Sequence, residues 1–428
     1  MIHSAQPVVA LLMLANILSC MSIDVHLPFA PQIVTEFQTT DQIVQFLLAM
    51  SVFLTTTTPL IWGPFSDRMG RKTLFIPACL LMVFGQIGCA MAPSISMLML
   101  ARFFQCIGAG AFLTVSMAIV CDLHVDKERS RKLAVIEMSL PIGLMIAPVL
   151  GAEISAWYGW RMCYWLLAIA QSILMFAFIV YLPETLYARS KASLRTLFGS
   201  LIRIGCDRNF LPYALLRGLV NACYMVFIAH APFLLINGMG LSMRQFAVYQ
   251  GTLPIIYGLG LLCTRPVIKH FSNDILLRCG MIGLGLFGIV VVLALKGIIP
   301  STPITTFFIM AFSAFVSGSI LVACAAISFG HGRNETGVKS ALLEFYIGAL
   351  SAVVIYAASY SVDQNFYNVY SWTILCIIGT FFVWSIAPST KQNMPLYLDD
   401  EDALLSTHPV TTNDLVNEKK KNRTNTIH

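Results

Sequence analysis

Two side chains of opposite charge interrupt apolar stretches of this sequence, where a charge is costly. Asp24 belongs to the stretch at residues 7–34, and Arg102 lies near the start of the one at residues 96–121. A charge at such a depth faces an aqueous cavity or a partner within a helical bundle. There a carboxylate can pair with an arginine, bind a proton or bind a cationic ligand, one at a time. The pair therefore predicts proton coupling and substrate binding. Two alternatives stay open: Arg102 can snorkel outward, and Asp24 can lie in the outer headgroups if its helix ends near Met21.

Two further acids lie about one helical turn inside other apolar stretches. Glu137 belongs to the stretch at residues 133–156, and Glu344 to the one at residues 338–361. Interfacial water can solvate a carboxylate at this depth, which is the alternative to a function. They occupy the fifth and eleventh stretches, which are corresponding positions in the first and second sets of six. We therefore include both as candidates for proton coupling and substrate binding.

A charge latch between helix ends is indicated by the loop between the second and third stretches. It reads Gly63-Pro64-Phe65-Ser66-Asp67-Arg68-Met69-Gly70-Arg71-Lys72. Topology alone would favour arginine and lysine in a cytoplasmic loop, but it requires neither Asp67 nor the two glycines. The next loop on the same side adds Asp122 and Arg129. An acid at one helix end and bases at the next can hold neighbouring helix ends together.

The fifth stretch combines a proline with small residues. It reads Pro141-Ile142-Gly143-Leu144-Met145-Ile146-Ala147-Pro148-Val149-Leu150-Gly151-Ala152. Pro148 frees a carbonyl and kinks a helix, and Gly143 and Gly151 allow close approach to a partner helix. Plain packing of a kinked helix is the alternative to a functional role.

Twelve apolar stretches must position these residues. They run over residues 7–34, 42–65, 74–92, 96–121, 133–156, 161–182, 210–236, 244–264, 275–295, 303–330, 338–361 and 366–387. Each is near or above the roughly 20 residues that a membrane-spanning helix needs. Charged residues make up 11% of the chain, against about a quarter in soluble domains. The composition therefore excludes a soluble protein over residues 1–387.

Positive charge is concentrated on one side of these stretches. Of the 27 lysines and arginines, 22 fall on that side, and only Arg161, Arg244 and Lys296 fall in the connections of the other. The positive-inside bias predicts that both termini are cytoplasmic. Because these charges are juxtamembrane, they indicate contact with the lipid bilayer and not with nucleic acid.

The longest polar break divides the stretches into two equal sets. Residues 184–209 form it, and six stretches lie in each of the flanking regions 1–183 and 210–387. We predict an all-α membrane protein with two six-helix bundles, a cytoplasmic linker and a disordered cytoplasmic tail at residues 388–428. In duplicated transporters the binding site lies between the halves, which rock to give alternating access. An equal division by chance is the alternative.

The motifs resemble those of the major facilitator superfamily. The loop 63–72 matches its G-x-x-x-D-R-x-G-R-[KR] signature completely, and Arg102 begins its R-x-x-Q-G-x-G pattern with Cys106 in place of the first glycine. The fifth stretch is similar to the G-x-x-x-G-P-x-x-G-G pattern of antiporters, with Ala147 and Ala152 in place of glycines. This resemblance implies a twelve-helix fold and a cavity-facing Arg102 in proton coupling.

The resemblance also assigns roles to particular positions. It implies a cytoplasmic gate at Gly63, Asp67, Arg68, Gly70, Arg71, Asp122 and Arg129, and an antiporter motif at Gly143, Pro148 and Gly151. Asp24-Val25-His26-Leu27-Pro28 and Leu182-Pro183-Glu184-Thr185 resemble the Bcr/CflA branch of the drug:proton antiporters. A monomer in the inner membrane of a bacterium is the expected setting.

Enzyme and metal chemistry find no support in the motifs. The spans contain no His-Glu-x-x-His or Gly-x-Ser-x-Gly, the chain has no nucleotide-binding G-x-x-x-x-G-K-[ST] loop, and its twelve cysteines form no CxxC pair. We therefore expect a proton-coupled secondary transporter, without cofactor or metal, that exports small amphipathic compounds as a multidrug efflux protein. The alternative is a proton-coupled importer or exporter of a specific metabolite or siderophore on the same fold.

Overall fold

Helices joined by short connections account for nearly all of the chain that the computed structural model describes, which comprises residues 5–186, 194–270, 273–329, 336–360 and 366–388. These α-helices are α1 (Ala5–Asp24), α2 (Ala30–Glu36), α3 (Asp41–Thr57), α4 (Pro59–Met69), α5 (Arg71–Met91), α6 (Ile95–Leu123), α7 (Asp126–Glu137), α8 (Ser139–Tyr158), α9 (Trp160–Tyr181), α10 (Leu194–Gly205), α11 (Leu211–Ala231), α12 (Met243–His270), α13 (Asn273–Leu295), α14 (Pro303–Phe329), α15 (Thr336–Ser359) and α16 (Phe366–Ile386). The predicted tail beyond Pro388 and part of the predicted linker lie outside the described residues.

The helices have the dimensions of membrane spans. Over the described ranges, eleven helical segments are long and apolar enough to cross a membrane, and Val8–Asp24 is a shorter apolar helix. Together they correspond to the twelve stretches of the sequence. The prediction of an all-α membrane protein is confirmed.

The first predicted stretch is not one continuous helix. α1 ends at Asp24, five residues form turns, and α2 begins at Ala30. Proline disfavours a helical residue before it and cannot donate within a helix, so Pro28 falls in the turn and Pro31 in the first turn of α2. The break exposes the last carbonyls of α1 in the middle of the protein.

Three more spans have an interruption in the α-helical pattern. α3 passes into α4 at Thr58, just before Pro59, and α7 passes into α8 at Met138. α11 continues as a π-helical segment at Pro232–Gly238. A proline lacks the backbone N–H that a helix needs, so each proline relaxes the ladder locally.

Close helix contacts join the two predicted halves. α3 packs against α15 and α8 against α12. A Cβ atom added to Gly348 of α15 would collide with Thr56 of α3, and one added to Gly251 of α12 would lie 2.8 Å from the Met145 carbonyl of α8. Small residues at these two positions therefore allow the backbones to meet.

Candidate functional site

Arg102 of α6 is fully buried, and its two terminal nitrogens donate to oxygen acceptors, whereas its Nε has no hydrogen-bond partner among the described residues. Nη1 donates to the Ser22 carbonyl over 2.7 Å and to Oε1 of Gln105 over 3.2 Å. Nη2 donates to the Ile23 carbonyl over 2.9 Å and to Oγ of Ser51 over 3.0 Å. The side chain is 0% exposed, so it points into the protein and does not snorkel to the interface.

The position of Arg102 follows from the break after α1. The last carbonyls of a helix have no partner within it and carry partial negative charge. Ser22 and Ile23 belong to the last turn of α1, and Arg102 supplies both with a charged donor. Gln105, one turn further along α6, donates Nε2 to the same Ser22 carbonyl over 3.1 Å. The arginine thus holds α1 to α6 at the level of the break.

Asp24 is the last residue of α1 and lies beside this arginine. It interacts electrostatically with Arg102 and with Tyr224 of α11, and it is half-buried. Among the described contacts, none is a hydrogen bond between its carboxylate and the Arg102 guanidinium. The helix extends past Met21 to Asp24, so the carboxylate lies at the break and next to the other predicted half. Asp24 and Arg102 therefore interact electrostatically, but Arg102 makes its hydrogen bonds to other groups.

His26 joins this cluster and was not expected from the sequence to act in it. It is buried, its Nδ1 lies 2.9 Å from the Ile23 carbonyl, and the same atom lies 3.4 Å from Nη2 of Arg102. Its position two residues after Asp24 in an apolar stretch was the available signal. The helix break brings both residues to the same turn.

A charge cluster forms at the other end of α6, where the loop signature lies. Arg71, whose side chain is 9% exposed, donates Nε to Asp122 over 2.9 Å and places Nη1 2.5 Å from Asp67. Nη1 also donates to Oγ of Ser66 over 2.6 Å, and Thr185 donates to Asp122 over 3.2 Å. One arginine therefore links the end of α4, the start of α5 and the end of α6.

Glu184 completes this cluster as the cap of α5. Its Oε1 accepts from the Arg71 N–H over 2.7 Å, and its Oε2 accepts from the Thr73 N–H over 3.4 Å. Gly70 has φ +115°, and a Cβ there would lie 2.5 Å from this carboxylate. A carboxylate at a helix N-terminus satisfies free N–H groups and the helix dipole. Gly70 is thus required by both its backbone angle and its neighbour.

The cap changes the acidity of Glu184. Partial burial alone would raise its pKa, but hydrogen bonds from the N–H groups of Leu186, Arg71 and Thr73 outweigh this effect. They favour the charged form and hold the pKa of Glu184 below its ordinary value.

The remaining residues of the predicted gate lie outside the core of this cluster. Arg129 is exposed and donates Nε to the His124 carbonyl over 3.0 Å, which caps the end of α6. Arg68 is half-buried in the last turn of α4. Gly63 lies in α4, where a Cβ would be 3.7 Å from Thr114 of α6.

The two other predicted acids are separate from Asp24. Glu137 is the exposed last residue of α7. Glu344 of α15 is 48% exposed and pairs with Nη2 of Arg217 in α11 over 2.9 Å. The structure therefore brings Glu344 to an arginine that the sequence did not connect with it.

The small residues of the fifth stretch contact the neighbours of α8. A Cβ on Gly143 would lie 2.6 Å from Cβ of Cys20 in α1, and one on Gly151 would lie 2.5 Å from the Val25 carbonyl after α1. Pro148 lies on the side of α8 that meets Gly251 of α12. The motif thus packs α8 against the broken first span and against the other predicted half.

An ion pair joins α8 and α12 near the C-terminal end of α8 and the N-terminal end of α12. Arg244 of α12 lies 2.8 Å from Glu153 of α8, and both side chains are about half exposed. Nearby, Arg161 stacks 4.4 Å from the Trp160 ring and pairs with Glu36, which also accepts from Trp160 Nε1 over 2.5 Å.

Within the described residues, no group of three histidine, cysteine, aspartate or glutamate side chains could hold a metal ion.

Sequence comparisons match this arrangement to a large transporter family. The profile of the Major Facilitator Superfamily matches residues 12–354. An uncharacterized MFS-type transporter, YdgK of Bacillus subtilis (strain 168), is 28% identical over 357 residues, which cover 80% of this chain and 86% of YdgK. The chloramphenicol resistance protein of Pseudomonas aeruginosa is 26% identical, covering 65% of this chain and 66% of that protein. The multidrug resistance protein MdtL of Escherichia coli O157:H7 is 28% identical, covering 53% and 57%.

Solved structures agree on the fold. A bacterial homolog of the human lysosomal transporter Spinster, in an inward-facing and unoccupied conformation, superimposes with a TM-score of 0.71 at 14% identity, covering 90% of this chain and 96% of that one. The xylose transporter XylE from E. coli gives a TM-score of 0.67 at 13% identity, covering 92% and 99%. At such identity the likeness concerns the fold alone.

Proposed function

Because the chain belongs to the major facilitator superfamily, and is therefore a transporter and not an enzyme, we propose that it is a proton-coupled exporter of small amphipathic compounds. The observation that carries this proposal is Asp24, a half-buried carboxylate at a helix break inside the membrane region. It interacts electrostatically with Arg102 and with Tyr224 from the other predicted half. A carboxylate in this position can be neutralised by a proton or by a cationic substrate.

Competition for one carboxylate couples opposite movements. A protonated Asp24 has no charge to attract a cation, and a charged Asp24 attracts one. Proton and substrate then exclude each other, which is the requirement for antiport. Arg102 supports this step, since its terminal nitrogens donate to Ser22, Ile23, Ser51 and Gln105, and none of these hydrogen bonds goes to Asp24.

Alternating access requires contacts that form and break at opposite faces. We propose that residues 1–183 and 210–387 act as two six-helix bundles joined by a linker at 184–209. The Arg71 cluster would serve as the cytoplasmic gate and the Glu153–Arg244 pair as its outer counterpart. The close packing at Gly251 and Gly348 supports rocking about these two interfaces.

Export as a multidrug efflux protein is supported by the names of two relatives. One is a chloramphenicol resistance protein and another a multidrug resistance protein. We propose a bacterial cytoplasmic membrane as the location, with both termini in the cytoplasm and a monomer as the working unit. The second candidate is a proton-coupled importer or exporter of one metabolite or siderophore, which the same fold would serve.

Liposomes containing the full chain separate these functions. With DNA inside, ethidium entry is followed by fluorescence while the lumen is either more acidic or more alkaline than the outside. Antiport predicts uptake driven by an acidic lumen, and a proton symporter predicts the opposite gradient dependence. Asp24→Asn should abolish the gradient effect, and Asp41→Asn, at the far end of α3, should retain it. Undiminished gradient-driven uptake by Asp24→Asn would refute the role of this acid.

A further inference from the structure

The second intramembrane arginine, Arg217 of α11, is only partly satisfied. Its side chain is 10% exposed, and Nη2 donates to one oxygen of Glu344 over 2.9 Å. Its Nε is buried and has no hydrogen-bond partner in the described part of the chain. A guanidinium presents five N–H donors in a fork that fits both oxygens of a carboxylate. The single contact to Glu344 leaves the Nε–Nη2 edge incompletely used.

Glu344 is free to leave this arginine. The carboxylate comes from a different helix, α15, and the Glu344 side chain is 48% exposed. An exposed carboxylate that is released returns to solvent with little desolvation cost, and exposed pairs are weak. The arginine, in contrast, stays buried and keeps its charge. The pair therefore has one fixed member and one exchangeable member.

Polar and aromatic side chains lie near Arg217. Asn221 and Ser317 line the same recess as Arg217, and Asn221 lies one turn further along α11. Tyr224 follows after one more turn and stacks on Tyr257 of α12, with ring centroids 6.2 Å apart. Tyr257 interacts electrostatically with Arg217, and Tyr224 with Asp24. Two stacked tyrosines, Tyr224 buried and Tyr257 half-buried, thus interact with the arginine of one predicted half and the acid of the other.

We propose that Arg217 is a subsite for the carboxylate of an amphipathic substrate, and that Glu344 occupies the place of that carboxylate when no substrate is bound. This rests on the proposed function in taking the cargo to be small and amphipathic. The substrate carboxylate binds Nε and Nη2 together, and its apolar part lies on Tyr224 and Tyr257. Release follows when Glu344 returns to the arginine. The site widens the expected substrates from cations and neutral compounds to organic acids.

Equilibrium binding tests this assignment without any transport. The full chain in phosphatidylcholine nanodiscs is titrated calorimetrically with 4-phenylbutyrate and with its uncharged amide, 4-phenylbutanamide. Arg217→Gln should weaken binding of the acid about tenfold or more, since a charged bidentate contact is lost. Glu344→Gln should tighten it about threefold, because the competing carboxylate is removed. The amide should bind both variants within about twofold of the wild type.

The opposite signs of the two variants distinguish a subsite from a structural ion pair. If both variants weaken the acid alike, or if the acid and the amide respond alike, the proposal is overturned. Arg217→Lys keeps the charge without the fork and should bind the acid at an intermediate affinity, which covers the case in which Arg217→Gln does not fold. No binding of the acid by the wild type also overturns the proposal.

A lipid phosphate is the other anion that this arginine could meet. Nanodiscs with phosphatidylglycerol test whether the site binds lipid. If this lipid stabilises the wild type thermally but not Arg217→Gln, and also displaces 4-phenylbutyrate, the site belongs to lipid. The substrate subsite would then be overturned. Unchanged acid affinity in these nanodiscs supports it. Because no proton gradient is used, the subsite can fail while proton-driven export stands, and the reverse.

Discussion

Arg102 and Arg217 are both arginines buried inside the membrane region, yet they are treated differently. Arg102 is 0% exposed and bonds two backbone carbonyls, a hydroxyl and an amide. Arg217 bonds one half-exposed carboxylate through Nη2, and in both arginines the buried Nε has no partner among the described residues. Neutral backbone acceptors stay fixed in their helix, whereas a half-exposed side-chain carboxylate can leave the arginine. Arg102 therefore has fixed partners, whereas Arg217 has a partner that can be exchanged.

The largest effect should come from removing the first arginine. Arg102→Ala leaves the Ile23 carbonyl without this donor and the Ser22 carbonyl with Gln105 alone, and we expect a loss of about 1–3 kcal/mol in stability. Arg217→Ala should cost about 1 kcal/mol or less, since its partner is solvated. Unfolding of both variants in detergent, followed by circular dichroism, measures the difference. Equal losses would remove the distinction between the two arginines.

A third arginine, Arg71, extends the comparison to the cytoplasmic end. It bonds carboxylates, as Arg217 does, but it has two and is itself 9% exposed. Asp67→Asn should leave the fold intact and slow transport, because a latch of about 1–3 kcal/mol shifts the ratio of conformers about 5- to 150-fold. Counterflow rates in liposomes measure this, with Asp67→Glu as the charge-preserving control. A wild-type rate for Asp67→Asn at all substrate concentrations would contradict the gate.

The Glu184 cap sharpens the comparison through pH. Its pKa is lowered in the folded protein by three backbone N–H groups, so its contribution is present above the unfolded pKa. The contribution is lost as the pH falls through the lower folded value. We expect Glu184→Gln to be less stable than wild type at pH 7 by about 1 kcal/mol or less, since the site is largely solvated. Melting temperatures of the two proteins should converge below about pH 4. A gap that persists there would show that the charge is not the cause.

The smallest effect should come from the outer pair. Glu153 and Arg244 are both about half exposed, so Glu153→Gln should change stability by about 0.5 kcal/mol or less. A cysteine is introduced so that it faces the central region, and an impermeant maleimide is added from outside. If the pair is an outer gate, Glu153→Gln should raise the labelling of this cysteine. Arg161→Gln, on a pair within one predicted half, serves as the matched control. Equal labelling of both variants would argue against an outer gate.

The sequence predicted what depends on short-range pattern. Uninterrupted apolar runs indicated the spans, and the loop signature indicated that Asp67, Arg71 and Asp122 would meet, which they do. The depth of Arg102 in its stretch left snorkelling open, the resemblance favoured a side chain that faces inward, and the side chain is buried. These features need only helix geometry and the cost of a charge in lipid.

Contacts between distant segments escaped prediction for a physical reason. Glu184 caps a helix 113 residues earlier, and Arg217 meets a carboxylate 127 residues later. Such pairs depend on how helices pack, and several arrangements satisfy the same hydropathy pattern. The partners of Arg102 escaped as well, because backbone carbonyls become acceptors only where a helix stops. Pro28 and Pro31 were the visible sign of that stop.

The break after α1 has a consequence for biogenesis. α1 is 20 residues long or about 30 Å, which is about the thickness of the hydrocarbon that a lipid bilayer presents. Its open end is closed by Arg102, which lies 80 residues beyond Ser22 and is therefore translated much later. Until α6 has entered the membrane, the carbonyls of this end must be hydrated or shielded by the insertion machinery. α1 is thus synthesised early but reaches its final contacts only after α6 has been inserted. The order in which the helices are synthesised therefore differs from the order in which their contacts form.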